Sequence, residues 1–453
     1  MKNVITEIVA KDLCSSCGVC AGFCPSSALS MKLRENGNLV PHVDAERCRV
    51  KCHLCLDICP FSNGVHNPRK INVELFNGAS KSKHNEDIGW YTRSVVGFRG
   101  GGSLRMASSS GGLVTWCLEI FLKKELVTRV AVVRLAQNHD NGFFEFYAAS
   151  SVDELRASSG SIYHPVEISG IIKEIQSNEQ ERWAIVGVPC LCAAIRNSPR
   201  LRKRVPFVLG MACGMYQNTF YTEILLSQSG VDREHIENIE YRRKSGGGTP
   251  SDYRFRGTDN RGPGREIPYH GLPFYLGIHA FFRLNACNFC MDVFAEAADA
   301  CFMDAWLPVY RQETKGTSLV VLRNSELSEL FYQGQSVGEL HLEEIDPKEV
   351  VLSQRGHVRR KRELIYMRRE VQVPKDAILI KPTIMEKVNW WLEKRTQTRS
   401  KRAWAEYGRK YGRFTFWLAL SDVLLMQNMI KYATKTVTLP NRIIVKFKKS
   451  LSL

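Results

Sequence analysis

The chain lacks an apolar run long enough to cross a bilayer: the nearest, Phe414 to Met426, falls short of the roughly 18 to 20 residues required and contains Asp422. It also lacks a charged opening followed by an apolar stretch, since Met1 to Lys11 alternates polar and apolar residues. Secretion is therefore not indicated, and the reducing cytoplasm is the expected compartment. Low-complexity tracts are missing, and the only internal repeat is a duplicated run of cysteines. No signature of a DNA- or RNA-binding fold is present, so nucleic acid is not an expected partner. Acidic residues are scarce in one region. From Arg355 to Leu453 there are 24 Lys and Arg against 7 Asp and Glu, which carries the whole formal net charge of +17. The preceding residues are balanced, which argues against a phosphate-tracking surface on the body of the molecule.

Cysteine, by contrast, is abundant. Of 15 in all, eight lie in the first sixty residues, in two runs that each end in Cys-Pro: Cys14, Cys17, Cys20 and Cys24, then Cys48, Cys52, Cys55 and Cys59. The first run has the C-x2-C-x2-C-x3-C-P spacing that places three thiolates on one cubane and sends the fourth to a neighbouring one. The second repeats it with one extra residue between Cys48 and Cys52. By that crossed logic Cys14, Cys17, Cys20 and Cys59 hold one [4Fe-4S] cluster, and Cys24, Cys48, Cys52 and Cys55 hold the other. Paired zinc sites would read as two C-x2-C knuckles separated by a long loop, not as three ligands at three-residue steps. The region from about residue 8 to 62 resembles two-cluster bacterial ferredoxins, which implies an electron-transfer module.

At 453 residues the chain exceeds what one core serves, so two or three domains are expected. Residues 63–89 are polar, with Gly64, Pro68, Gly78 and a cluster from Lys81 to Lys83, and read as a linker. Beyond residue 100, short β-rich runs ending at Gly, Pro or Cys alternate with helical patterns, an α/β signature. Two of these runs, Ala184 to Val186 and Pro206 to Leu209, lead to Cys190 and Cys213 at their carboxyl ends, the edge where open sheets place ligands. With Cys287 and Cys290, a C-x2-C in a turn-like setting, four thiolates are available for a third cluster. Spacing alone leaves open the other reading, in which Cys190 and Cys213 are small buried hydrophobes. Cys117, Cys192 and Cys301 read as core residues.

Several short motifs follow in a fixed order: Ala107 through Ser108, Ser109, Ser110 and Gly111 to Gly112; Gly160, Ser161 and Tyr163; Val186 to Cys190; Cys213-Gly214; Cys287 to Asp292; Ala298-Asp299; and Asp304 to Trp306. Together they resemble the coenzyme F-420 hydrogenase/dehydrogenase β-subunit family, over about residues 90 to 365. The resemblance implies a third [4Fe-4S] cluster at Cys190, Cys213, Cys287 and Cys290 beside a flavin, FAD or else FMN. It implies an oxidoreductase fed by a donor protein such as ferredoxin and reducing a two-electron carrier or an unsaturated substrate. A non-catalytic electron-transfer subunit or scaffold, including one serving polysaccharide synthesis, is the alternative.

The flavin phosphate would lie on Ser109, Ser110, Gly111 and Gly112 ahead of a helix over 113–124, where backbone N–H groups and the helix dipole favour an anion. An ordinary serine N-cap is the competing reading. Gly160, Ser161 and Tyr163 would meet the ring, and Gly187 and Pro189 precede Cys190 in the motif. His164 is the one candidate acid. The run from Arg242 through Lys244 to Gly248 reads as a lid over an anion or as a solvated hairpin. Asp292, Asp299 and Asp304 would orient the cysteine turn or cap local elements.

The expected architecture is thus α+β and α/β, multidomain: a ferredoxin-like domain over 1–62, the 63–89 linker, a mixed α/β flavin- and cluster-binding domain over 90–370, and a helical, basic, aromatic-rich tail over 371–453. The tail sets Trp390, Trp391, Trp404, Tyr407, Tyr411, Phe416 and Trp417 among Lys and Arg. That pattern suits three settings: the inner face of an anionic membrane, an acidic protein partner, or a helix packed on the body with a basic outer face.

Overall fold

The computed structural model describes residues 2–49, 51–62, 67–158, 160–244, 249, 251–364 and 381–430. Near the front, the strands Leu29–Leu33 and Leu39–Val43 pair antiparallel, with Leu29 opposite Val43 and Leu33 opposite Leu39. Leu29 and Met31 turn inward and Ser30 and Lys32 do not, the alternation expected of a half-buried strand. Short helices, Val19–Gly22 and Leu54–Asp57, carry cysteines from each run.

This module shares its core with the rest of the chain. Val19, Ala21, Phe23 and Leu29 pack in one cluster with Ile168, Ile171, Ile172, Leu191 and Val293. Gly22 permits the approach, because a Cβ there would come within 2.6 Å of the Ser169 carbonyl and the Ile172 side chain. The 63–89 segment departs from the linker expectation. Pro68–Phe76 is a helix, capped by Asn67 accepting from the Lys70 N–H, and Lys83–Asn85 pairs with Gly89–Tyr91. The physical reason is an inward face hidden in a polar composition. Asn72 is buried, donates to the Glu296 carbonyl and accepts from the Trp90 N–H, while Ile71 and Phe76 are buried beside it.

The centre is an eight-stranded mixed sheet. Its spatial order is Leu340–Glu344, Arg93–Arg99, Ser318–Leu322, Ala300–Asp304, Phe207–Met211, Trp183–Gly187, Arg129–Leu135 and Phe144–Ala149. Ala300–Asp304, Phe207–Met211, Trp183–Gly187 and Arg129–Leu135 run parallel to one another, and Arg93–Arg99 points the same way because it is antiparallel to Ser318–Leu322, itself antiparallel to Ala300–Asp304. Buried runs of Val, Ile, Leu and Ala suit strands covered on both faces. Five strands therefore discharge their carboxyl ends at one edge, leading into the 100–112 segment with its short helix Gly102–Ala107, the Ala305 turn, Cys213, Cys190 and the 136–143 loop. A smaller antiparallel sheet is built on Ile236–Arg243 and Arg254–Asp259.

The C-terminal region is docked on the body as far as residue 430. Thr383 and Glu386 form a capping box at the start of Ile384–Ala403. Leu392, Ala403, Trp404, Phe416, Leu420 and Val423 join the core of Phe220, Tyr221, Phe281 and Phe282. Trp404 donates to the Glu223 carboxylate, which Arg409 also pairs. Of the three settings expected for the tail, the packed helix with a basic outer face describes its inner side. Trp404 and Phe416 are buried on that side, while Trp391, Tyr407 and Tyr411 are exposed. The short β-like run at 377–380 lies outside the described residues. Among those described, no helix is long and apolar enough to cross a membrane.

Candidate functional site

Thiols of the two front runs approach one another. Burial raises the Cys20 thiol, and the neighbours whose charge raises it further are Cys17, Cys14, Cys59 and Cys55. Cys59 answers to Cys17 and Cys14, while Cys55 answers to Cys52, Cys48 and Cys24. Burial pushes Cys14 up to about 12. A thiol so disfavoured as an anion becomes a thiolate when a metal supplies the compensating charge, so the donor set fits an iron–sulfur cluster. Among the described residues no three His, Cys, Asp or Glu side chains are grouped as a single ion would need. A cubane asks for something looser, because each thiolate takes its own iron.

The later cysteines converge at the sheet edge. Cys190 is the second residue of the helix Pro189–Arg196, immediately after the strand Trp183–Gly187. Cys213 follows Phe207–Met211, its N–H donating to the Val293 carbonyl. Cys287 sits in the turn Asn285–Asn288 and its sulfur accepts from the Tyr216 N–H at 3.2 Å. Burial raises Cys190, and the charges raising it further belong to Cys17, Cys290, Cys213 and Cys287, in that order. The four later thiols are thus near neighbours, and Cys17 of the front module is near Cys190. Backbone contact supports the approach, since the Ile168 N–H donates to the Cys17 carbonyl at 3.0 Å. Cys117, Cys192 and Cys301 are fully buried core residues.

Lys361 is the group that sequence reasoning missed. It lies in a run of cations counted with the tail, yet it is buried and its ammonium donates to the Cys213 carbonyl at 3.1 Å and to the Asp292 carbonyl. Burial opposes its charge, but Cys290, Cys213, Cys287 and Asp292 together hold it protonated above the ordinary lysine value. Arg362 beside it donates to the Met291 carbonyl and pairs with Glu296 at 2.6 Å. The expected acidic helpers divide. The Asp292 side chain accepts from the Glu296 N–H within the cysteine segment. Asp299 instead binds Arg196 and the Val208 N–H, and Asp304 forms a bidentate pair with Arg242.

At the same edge the two loops expected to hold the flavin meet. The Ser161 N–H donates to Ser109 Oγ at 3.1 Å, and a Cβ at Gly160 would reach that hydroxyl at 2.9 Å. Ser110 donates to the Thr317 carbonyl and the Gly111 N–H to Ser318 Oγ. Gly112, with φ of 80°, precedes the helix Leu113–Lys123 with no side-chain cap, so the serine N-cap reading does not hold. Gly187 ends the strand Trp183–Gly187 and Pro189 opens the helix that carries Cys190, away from these loops in sequence. Ser109 borders a narrow cleft of about 20 Å³ that is also lined by Arg242, Lys244, Tyr253, Trp306, Tyr310 and Arg311. Burial and the neighbouring Arg242 and Arg105 lower Lys244 to about 8. The cations and hydroxyls lining the cleft suit an anionic group, and the cleft itself has room for a group no larger than about one water. Ser245 to Gly248 of the expected lid lie outside the described residues.

His164 is corrected. The sequence suggested a loop imidazole available as an acid, but it is buried among Phe143, Phe144 and Tyr241. Its Nδ1 contacts Thr222 Oγ1 at 2.7 Å and the Tyr241 hydroxyl at 3.2 Å. Burial lowers its pKa to about 3, so the ring is neutral. Unfolded histidine titrates near 6.5, so below that pH the unfolded chain takes a proton the folded one refuses. Stability should fall by about 1.4 kcal/mol per pH unit until the folded value is reached. His164→Gln is expected to be less sensitive to acid than the parent by about 2 kcal/mol between pH 7 and 5, read as the difference in unfolding free energy at the two pH values.

Comparisons with known proteins now bear on this geometry. Two halves of one family, the coenzyme F420 hydrogenase/dehydrogenase beta subunit, match: its carboxyl-terminal half over residues 180–348 and its amino-terminal half over 97–173. A 4Fe-4S dicluster domain matches residues 13–63. One subunit of the F(420)H(2) dehydrogenase of Methanosarcina mazei is 25% identical over 236 residues, 50% of this chain and 60% of that protein. The coenzyme F420-dependent sulfite reductase of Methanocaldococcus jannaschii is 20% identical over 362 residues, 76% of this chain and 49% of that protein. The chain therefore spans well under the full length of both relatives. A chain from the xenon-derivatised F420-reducing [NiFe] hydrogenase complex of Methanosarcina barkeri superposes with a TM-score of 0.47 at 14% identity, covering 62% of this chain and 92% of that one.

Proposed function

This chain belongs to the coenzyme F420 hydrogenase/dehydrogenase β-subunit family, with a 4Fe-4S dicluster domain at its front, and from that premise we propose that it is an iron–sulfur flavoprotein oxidoreductase. In this reading Cys14, Cys17, Cys20 and Cys59 hold one cluster, Cys24, Cys48, Cys52 and Cys55 a second, and Cys190, Cys213, Cys287 and Cys290 a third. Bound there, the clusters supply one-electron steps and a flavin joins two of them into a two-electron reduction. The observation that carries the proposal is the core shared by the front module and the central domain, against which Cys17 and Cys190 both pack.

The chain's own residues supply position and shielding. Phe289, Phe294 and Val293 pack around the later thiols and exclude water. Ser109, Ser110, Gly111, Gly112, Gly160, Ser161 and Tyr163 would hold the flavin at the sheet edge, with Gly187 and Pro189 on its cluster side. Arg242, fixed by Asp304, would bind an anionic group in the adjoining cleft. The electron donor is a small low-potential protein such as ferredoxin. Because one relative is part of a dehydrogenase of several subunits, a larger assembly is part of the proposal, and the names of both relatives make coenzyme F420 the first acceptor to try. The test is anaerobic purification with iron, sulfide and flavin assays. About twelve irons and one flavin per chain are expected, counting four irons per cubane; about eight irons and no flavin would reduce the protein to an electron carrier.

A further inference from the structure

One face of the C-terminal helices is left bare. The helix Arg413–Ala419 ends at Leu420, whose φ of −109° and ψ of 8° are not helical, and 421–430 is helical again. On these two pieces Phe414 is 76% exposed, and Leu418, Leu425 and Met429 are each 62% exposed. Within each helical piece the exposed pair is four residues apart, about 40° on the helical wheel and about 6 Å along the axis, so each piece presents a short apolar strip. The opposite face, Phe416, Leu420 and Val423, is fully buried against the body. Apolar strips of large side chains on the outside of docked helices are not explained by the fold.

Its surroundings are cationic. Lys410 and Arg413 lie at its start, beside the exposed rings of Tyr407 and Tyr411. The one acid between residues 407 and 430, Asp422, is engaged by Arg395 and Arg399. The cores of protein–protein interfaces are depleted in lysine. Apolar residues with tyrosine at the edge and lysine and arginine around suit the headgroup plane of an anionic bilayer.

We propose that the Phe414, Leu418, Leu425 and Met429 face docks the molecule on an anionic lipid surface. The strips enter the acyl boundary and the flanking cations meet lipid phosphate, while the redox sites stay outside the bilayer. This assignment is independent of the cofactor reading, since it uses none of those residues.

The test uses the full chain with its clusters in place, sedimented with vesicles of phosphatidylglycerol mixed with phosphatidylcholine and with vesicles of phosphatidylcholine alone. Binding to the anionic vesicles is expected to be at least about tenfold tighter and to weaken in high salt. The double variant Leu418→Asp, Leu425→Asp should lose about tenfold or more of that binding with unchanged iron content and visible spectrum. Equal binding by parent and variant, or no binding by the parent, overturns the proposal. So does a parent dimer, seen by light scattering, that the double variant converts to monomer, because a second copy would then cover the face.

Discussion

Cys190→Ala should lower the iron content from about twelve to about eight per chain while leaving the two front clusters intact. Of the twelve cysteines in question, Cys190 is the one placed between both groups, answering to Cys17 on one side and to Cys290, Cys213 and Cys287 on the other. Its loss should therefore do more than empty one site. Reduction of the flavin by a low-potential donor should slow by several orders of magnitude, although the donor still reduces the front clusters at the parental rate. Cys117→Ala is the control, since that thiol is buried in the apolar cluster of Leu113, Trp116 and Phe121 and should leave iron untouched. The measurements are iron analysis, low-temperature paramagnetic resonance and stopped-flow absorbance. Unchanged flavin reduction in Cys190→Ala would mean that electrons reach the flavin by another route.

The second large effect is electrochemical. Lys361→Met should shift the midpoint potential of the third cluster to more negative values and leave the front pair where they were. A cluster gains negative charge on reduction, and the buried ammonium held by the Cys213 and Asp292 carbonyls stabilises that state. One elementary charge at roughly 6 to 15 Å from the centre of the cluster is worth about 1 to 3 kcal/mol at an effective dielectric near 20. For a one-electron couple this is roughly 50 to 130 mV. A resonance-monitored redox titration reads the shift, with iron content measured on the same samples. A midpoint that stays in place while iron remains full would show that Lys361 only ties the two loops together.

What the sequence disclosed followed from distance along the chain. The front cysteines are legible because their spacing repeats within sixty residues, and the strands behind Cys190 and Cys213 because Val, Ile and Leu run unbroken. The family was legible in the order of motifs that are individually weak. The approach of Cys17 to Cys190 was not, because it comes from Gly22 seating on Ile172 and from the Ile168 N–H meeting Cys17, contacts with no local pattern. Lys361 was hidden by composition, since one buried lysine among seven cations in 355–369 reads like its solvated neighbours. His164 misled for the opposite reason. Flanking Tyr163 and Pro165 suggested an exposed loop, whereas Phe143 and Phe144 arrive from another strand to cover it. In the tail, helical periodicity marked Phe416 and Leu418 alike, and it could not say which face the body would claim.

The fused core of the front module has a kinetic meaning. A redox bead on a flexible tether must diffuse to its acceptor before each transfer, and such a protein slows as the solvent thickens. Here Cys17 is already pinned by Ile168 and Gly22 leaves no gap against Ile172, so no search precedes transfer and internal delivery keeps its pace in a viscous medium.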